Sequence, residues 1–186
     1  MNSRIKWNSK YKERLNQPIK LESNPRLKKL SDFLTGGKAL DLACGIGGNS
    51  LFLAQMNYEV EAVDISDVAI QFIKEQALIY RLAINPKIYD LTELGKKHWH
   101  KWSFDLVVMT YYLDRSLFPL VKTLIKKKGY FFMETFYQSQ ESSNQGVSDQ
   151  YKLKPKELQT VFNDWKIHFF EEDEKEGRQT IFCQKL

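Results

Sequence analysis

Two rhythms alternate along this 186-residue chain: short apolar runs, and longer stretches whose apolar positions recur at helical spacing. "KALDLAC" (38–44) reads as a first strand, and "GGNSLFLAQM" behind it as a helix. "YEVEAVDI" (58–65) reads as a second strand from its alternation and β-branched content. "SDVAIQFIKEQALIYRL" carries Val68, Ala69, Phe72, Ile73, Ala77 and Tyr80 on one helical face, with Ser66 as the N-cap. "PKIYDL" (86–91) predicts a third strand and "SFDLVVMTYY" a fourth, whose Leu106-Val107-Val108-Met109 run reads as buried on both faces. "LFPLVKTLIKKK" predicts a helix stopped by Gly129, and "GYFFMETF" a fifth strand. "KPKELQTVFNDW" predicts a helix with Pro155 near its first turn. "KIHFFEED" and "RQTIFCQKL" close the chain as a hairpin around a charged turn with Gly177.

That order predicts an α/β fold: a doubly wound, mostly parallel sheet with helices on both faces and an antiparallel C-terminal hairpin strand at or near one edge. Residues 1–37 read as a helical lid segment, and residues 38–186 as the single domain proper. In such sheets ligands bind outside the carboxyl ends of the strands. The places to look therefore follow Ala43, Asp64, Asp90, Met109 and Thr135.

Composition narrows the class. Apolar content of 42% and charged content of 27% are those of a globular domain. No apolar run reaches the ~18–20 residues of a membrane span, and the basic start lacks the apolar core of a secretory signal. Two cysteines, Cys44 and Cys183, make no disulfide framework and no metal-ligand spacing, so a reducing cytoplasm is expected. The net charge of +5 is uneven: residues 1–30 hold nine Lys/Arg against two Glu, for +7, and the rest sums to −2. A basic segment can steer an anion or touch nucleic acid, or it can be a solvated helix face. The aromatic-plus-basic strand pattern of an RNA-binding sheet is absent, so nucleic acid is disfavoured as a partner.

The stretch "ALDLACGIGGNS" (39–50) carries the chemistry. Gly45 and Gly47 fit G-x-G-x-x-G, but Ser50 stands where a dinucleotide fold wants Gly or Ala, and no Lys-Ser/Thr pair makes it a P-loop. Asp41, in the strand leading to the turn, would repel a pyrophosphate and attract a cation. S-adenosylmethionine (SAM), with a sulfonium, an α-ammonium and no phosphate, suits this pattern. Asp64 ends the second strand seventeen residues beyond Gly47, where an acid can accept from both ribose hydroxyls. Asp90 ends the third predicted strand and can accept from an adenine amino group. The competing structural reading is that each acid caps the helix after it.

"LDLACGIGGNSLFLA" followed by "YEVEAVDIS" resembles the SAM-binding motifs of Rossmann-like methyltransferases. The continuation at 49–54, with "LKPKEL" (153–158), Phe162, Trp165 and "FFEED" (169–173), is most similar to the tellurite-resistance methyltransferases and their thiopurine-methylating relatives. The resemblance covers about residues 38–175. It implies a seven-stranded Rossmann-like sheet, SAM as cofactor, and a small, soft acceptor such as a thiol or metalloid oxyanion. It also implies that Asp41, Gly45 and Gly47 contact the methionine end, and that Ala43, Cys44, Asn49 and Ile65 belong to the cofactor site. Asp64 would serve the ribose, Asp90 with Leu91 the adenine, and Thr110 and Tyr111 the sulfonium. The family pattern has a His-Arg pair near the last hairpin. This chain has "DEKEGRQ" there, with Arg178 and no His, which leaves the acceptor open.

Other residues carry paired readings. Trp7, Tyr11 and Leu15 share one helix face, which serves either as a lid over the cofactor or as packing on the sheet edge. Cys44 is either a reactive thiol or a small residue filling the turn, and Cys183 is core. His98 and His100 belong to a surface loop rather than a metal site, and His168 is a satisfied strand residue. Glu134 and Tyr111 are the catalytic candidates, Glu134 as a base or as a structural partner. Residues 137–152 read as a flap. The function expected is methyl transfer from SAM to a small-molecule acceptor by a monomer or weak homodimer, with no metal and no membrane. The alternatives are an NAD-binding oxidoreductase, an RNA or protein methyltransferase, and a SAM-binding protein without catalysis.

Overall fold

The structure, a computed structural model, describes residues 3–96, 103–141 and 146–186. The chain has two compact units, Met1–His98 and Trp99–Leu186, and its strands make a seven-stranded mixed sheet.

The first unit opens with helix α1 (Ser3–Leu15) and a short helix α2 (Pro25–Lys29), which Asn24 caps by accepting from the Arg26 and Leu27 amides. Strands β1 (Gly37–Leu42), β2 (Tyr58–Asp64) and β3 (Ile84–Ile88) lie in the order β3-β2-β1, all parallel. Helices α3 (Gly48–Gln55) and α4 (Asp67–Tyr80) make the crossovers. Ser66 caps α4 as its position predicts, its hydroxyl accepting from the Ala69 amide at 3.2 Å. Ala69, Ile70, Ile73 and Ala77 are its buried stripe. β3 starts two residues before the predicted strand and ends at Ile88, so Asp90 lies in the loop beyond it. The Tyr89 amide still donates to the Asp64 carbonyl at 2.8 Å, which fixes where that loop leaves the sheet.

The second unit has strands in the order β4-β5-β7-β6: β4 (Phe104–Thr110), β5 (Ile125–Phe136), β6 (Lys166–Asp173) and β7 (Arg178–Gln184). β4 and β5 are parallel, while β7 runs antiparallel to both β5 and β6, as the terminal hairpin predicts. Helix α5 (Leu117–Leu124) is four residues shorter than its sequence suggests, because "IKKK" belongs to β5. Ile125 is buried opposite Phe104, and Lys126 pairs with Asp105 at 2.9 Å. Gly129 is therefore a strand glycine and not a helix stop. A Cβ there would come within 2.8 Å of the Ile125 side chain and 3.0 Å of the Asp105 carbonyl. Helix α6 is only Glu157–Val161, with Pro155 outside it, since Phe162 and Trp165 turn inward to a cluster with Phe118 and Phe131. Cys183 is buried in this unit, and His168 is satisfied by Gln184 Oε1 at 3.3 Å and by packing on Tyr130. His98, His100 and part of the 137–152 segment lie outside the described residues.

Candidate functional site

In the first unit the site grows from the end of β1. Asp41 is fully buried, and Ser50, in the first turn of α3, donates its hydroxyl to Asp41 Oδ2 at 2.6 Å. Asp41 Oδ1, also buried, has no hydrogen-bond partner among the described residues. Burial pushes the Asp41 carboxyl up to about 7, against the Ser50 hydrogen bond and with the help of nearby Asp64. The residue that departs from the dinucleotide pattern, Ser50, is thus the partner of the residue that defines the site.

The turn between β1 and α3 is a run of left-handed backbone. Ala43, Gly45 and Gly47 have φ of 54°, 55° and 85°. Glycine takes this region without penalty, whereas Ala43 is strained there. A Cβ on Gly45 would fall 3.0 Å from the Tyr11 hydroxyl, so the turn is covered closely by α1. Cys44 donates its amide to Val63 at 3.0 Å, and burial pushes its thiol well above the usual range. The thiolate needed for nucleophilic chemistry is disfavoured, which fits the turn-filling reading. Asn49 accepts from the Asn24 amide at 2.8 Å, fastening the start of α2 to the start of α3.

Asp64, buried at the end of β2, accepts from the Gly45 amide through Oδ2 and the Ser66 amide through Oδ1, both at 2.9 Å. It holds the glycine turn against the start of α4. Burial raises its carboxyl pKa, opposed by these amides. Ile65 follows it, half-buried. Asp90 is exposed and accepts from the Thr92 amide at 3.0 Å and the Thr92 hydroxyl at 2.7 Å, capping the 3-10 turn that begins at buried Leu91. Of the three acids, Asp41 and Asp64 flank the glycine turn; Asp90 caps the turn after β3.

Side-chain bonds fasten helix α1 to the start of α4. The Ser66 hydroxyl donates to Asn8 Oδ1 at 2.6 Å, Asn8 Nδ2 donates to Asp67, and Arg4 pairs with Asp67 at 3.2 Å. Trp7 and Tyr11 stack with centroids 5.6 Å apart. Burial, with Asp64 next, raises the Tyr11 pKa, so its phenol stays protonated over the turn.

In the second unit Thr110 and Tyr111 stand at the carboxyl end of β4. Tyr111 is half exposed and left-handed, with φ of 56°. Its amide donates to the Glu134 carbonyl at 2.8 Å and its hydroxyl to Glu134 Oε1 at 2.9 Å. Thr180 donates to Glu134 Oε2 at 3.0 Å. The Arg178 guanidinium lies 3.8 Å from the Phe136 ring centroid and 5.2 Å from that of Tyr111. Sequence reasoning did not single out Thr180 or Asn8. Thr180 becomes visible only from the β5–β7 register, which pairs it with Glu134.

Comparisons with known proteins identify the family and the fold. The family described as tellurite resistance protein TehB matches residues 10–181. A probable SAM-dependent methyltransferase TehB from Haemophilus influenzae is 26% identical over 149 residues, which is 77% of this chain and 51% of that protein. The chain thus spans about half the length of this curated relative. The crystal structure of TehB from Haemophilus influenzae superposes with a TM-score of 0.78 at 20% identity, covering 97% of this chain and 67% of that one. A SAM-dependent methyltransferase from Aquifex aeolicus superposes with a TM-score of 0.71 at 17% identity, covering 96% and 98%. These likenesses establish the Rossmann-like methyltransferase fold.

Proposed function

The chain belongs to the TehB tellurite-resistance family, and from that premise we propose that it is a SAM-dependent methyltransferase acting on a small-molecule acceptor. The observation that carries the reading is the buried, unpartnered Oδ1 of Asp41 beneath the glycine turn. An orphaned buried acceptor is costly, about 1–3 kcal/mol, and a ligand ammonium satisfies it. A pyrophosphate beside Asp41 and Asp64 would instead meet two carboxylates, which disfavours NAD.

The residues fit such a cofactor. Asp41 supplies charge for the α-ammonium, Gly45 and Gly47 keep the turn free of side chains, and Asp64 has lone pairs left for ribose hydroxyls. When bound, SAM supplies an electrophilic methyl group on a sulfonium. The chain's own work is alignment and exclusion of water, which together supply ~7–11 kcal/mol in favourable cases. The segment 1–37, with Trp7 and Tyr11, is the lid that does the excluding. The second-unit cluster of Tyr111, Glu134 and Arg178 handles an acceptor that is a soft nucleophile, such as a thiol or metalloid oxyanion. Two free cysteines fit a reducing cytoplasm, and among the described residues no helix is long and apolar enough to cross a membrane.

The test has two stages. SAM at a hundredfold excess over its Kd stabilises the fold by about 2.7 kcal/mol. That shows as a raised Tm, while NADH does nothing. Release of S-adenosylhomocysteine is then followed over thiols, selenite, tellurite and halides. No thermal shift with SAM overturns the reading. A shift without turnover on any acceptor favours a SAM-binding protein without catalysis.

A further inference from the structure

We propose that Glu134 is a positioning residue and not a general base: together with Thr180 it clamps Tyr111, so that the ring of Tyr111, and not its hydroxyl, faces the acceptor. The clamp itself is a matter of geometry, and only its role towards an acceptor rests on the methyltransferase reading above.

A base must reach a substrate proton. Glu134 is 1% exposed, which keeps its carboxylate away from an acceptor, and its oxygens hold protein hydroxyls, Oε1 that of Tyr111 at 2.9 Å and Oε2 that of Thr180 at 3.0 Å. Its backbone carbonyl takes the Tyr111 amide as well. Glu134 therefore grips Tyr111 at both ends, main chain and phenol. The grip has something to hold, because a bulky residue at φ of 56° is strained and persists only where its surroundings over-determine it. Three strands converge on this point: Tyr111 directly follows β4, β5 brings Glu134 and β7 brings Thr180. With the hydroxyl drawn inward, half of Tyr111 remains exposed, and Arg178 lies over its ring at 5.2 Å. Among the described residues, Glu134 and Arg178 are the charged groups that act on the phenol, each through its charge and a hydrogen bond. Burial and Glu134 outweigh Arg178 and push that phenol up to about 12.

The experiment is a pH titration of the full chain carrying tyrosines labelled with carbon-13 at Cζ, with Y111F to assign the resonance. In the wild type Tyr111 stays protonated beyond pH 11. In E134Q, with the neighbouring charge gone, its midpoint falls by one unit or more, and in T180V it shifts while the chain stays folded. SAM titration of the same proteins reports the cofactor site separately. Selenite-dependent release of S-adenosylhomocysteine supplies a rate. E134Q slows it by less than tenfold with the shape of the pH profile kept, whereas loss of a base costs about 10²–10⁴-fold and removes one limb. A Tyr111 midpoint near 10 in the wild type, or one indifferent to E134Q, overturns the clamp; a hundredfold loss with a missing limb overturns the assignment as positioning residue. Failure of the wild type to bind SAM overturns the methyltransferase reading alone and leaves the titration to decide the clamp.

Discussion

Ser50 donates to Asp41 across 2.6 Å, tying the first turn of α3 to the end of β1 beneath the glycine turn. This bond keeps one oxygen of a buried acid satisfied, while the other has no hydrogen-bond partner among the described residues. Ser50→Ala removes the hydroxyl donor and leaves the acid the Ser50 backbone amide, at a cost of about 1–3 kcal/mol. Urea unfolding of S50A against wild type measures it.

The raised pKa of Asp41 gives stability a pH dependence of known sign. The folded chain holds the Asp41 proton up to about pH 7, whereas an unfolded chain releases it near 4. Within that window the folded state binds more protons, so this group's contribution falls as pH rises, by at most about 1.4 kcal/mol per unit. Asp41→Asn lacks the slope. The difference in unfolding free energy between wild type and D41N, followed from pH 4.5 to 7.5, isolates it from the other carboxylates.

Asp64→Ala loses the acceptor that holds the Gly45 and Ser66 amides and, on the proposed reading, the ribose partner. SAM affinity is expected to fall by ~1.5–3 kcal/mol, roughly ten- to hundredfold. Isothermal titration with SAM reads this directly, and an unchanged Kd removes Asp64 from the cofactor site.

Gly48→Ala distinguishes local propensity from packing. In an exposed helix the change stabilises by about 1 kcal/mol. Here a Cβ on Gly48 would meet the Glu22 carbonyl oxygen at 2.2 Å. The expected sign is the reverse, a loss of about 1–3 kcal/mol, seen as a lowered Tm.

Asn8→Ala cuts the Asn8 bonds to Ser66 and Asp67 and leaves the Arg4–Asp67 pair. Hydrogen exchange over residues 3–15 is expected to quicken while the core amides keep their protection. A lid role for α1 predicts a threefold to tenfold weaker Kd for SAM in N8A; an equal Kd confines α1 to packing.

Much of this was legible in the chain because it is local. The order of strands and helices follows from hydrophobic period, the Ser66 cap from its place before a helical stripe, and the glycine turn from its own residues. The misreadings are also physical. "IKKK" looks helical by propensity, but Ile125 is buried opposite Phe104, so the segment joins the sheet. Asp90 looks like the end of a strand, but β3 stops at Ile88 and the acid turns to Thr92.

The sequence by itself determined the α/β class, the glycine turn and the acids beside it, since each depends on spacing along one segment. Only the tertiary structure decided what those acids touch. Ser50 meets Asp41 from nine residues away, Gly45 meets Asp64 from nineteen, and Thr180 meets Glu134 from forty-six. The reason is that a buried carboxylate must find donors wherever the fold brings them, and the register between strands, which no single segment encodes, sets which donors arrive.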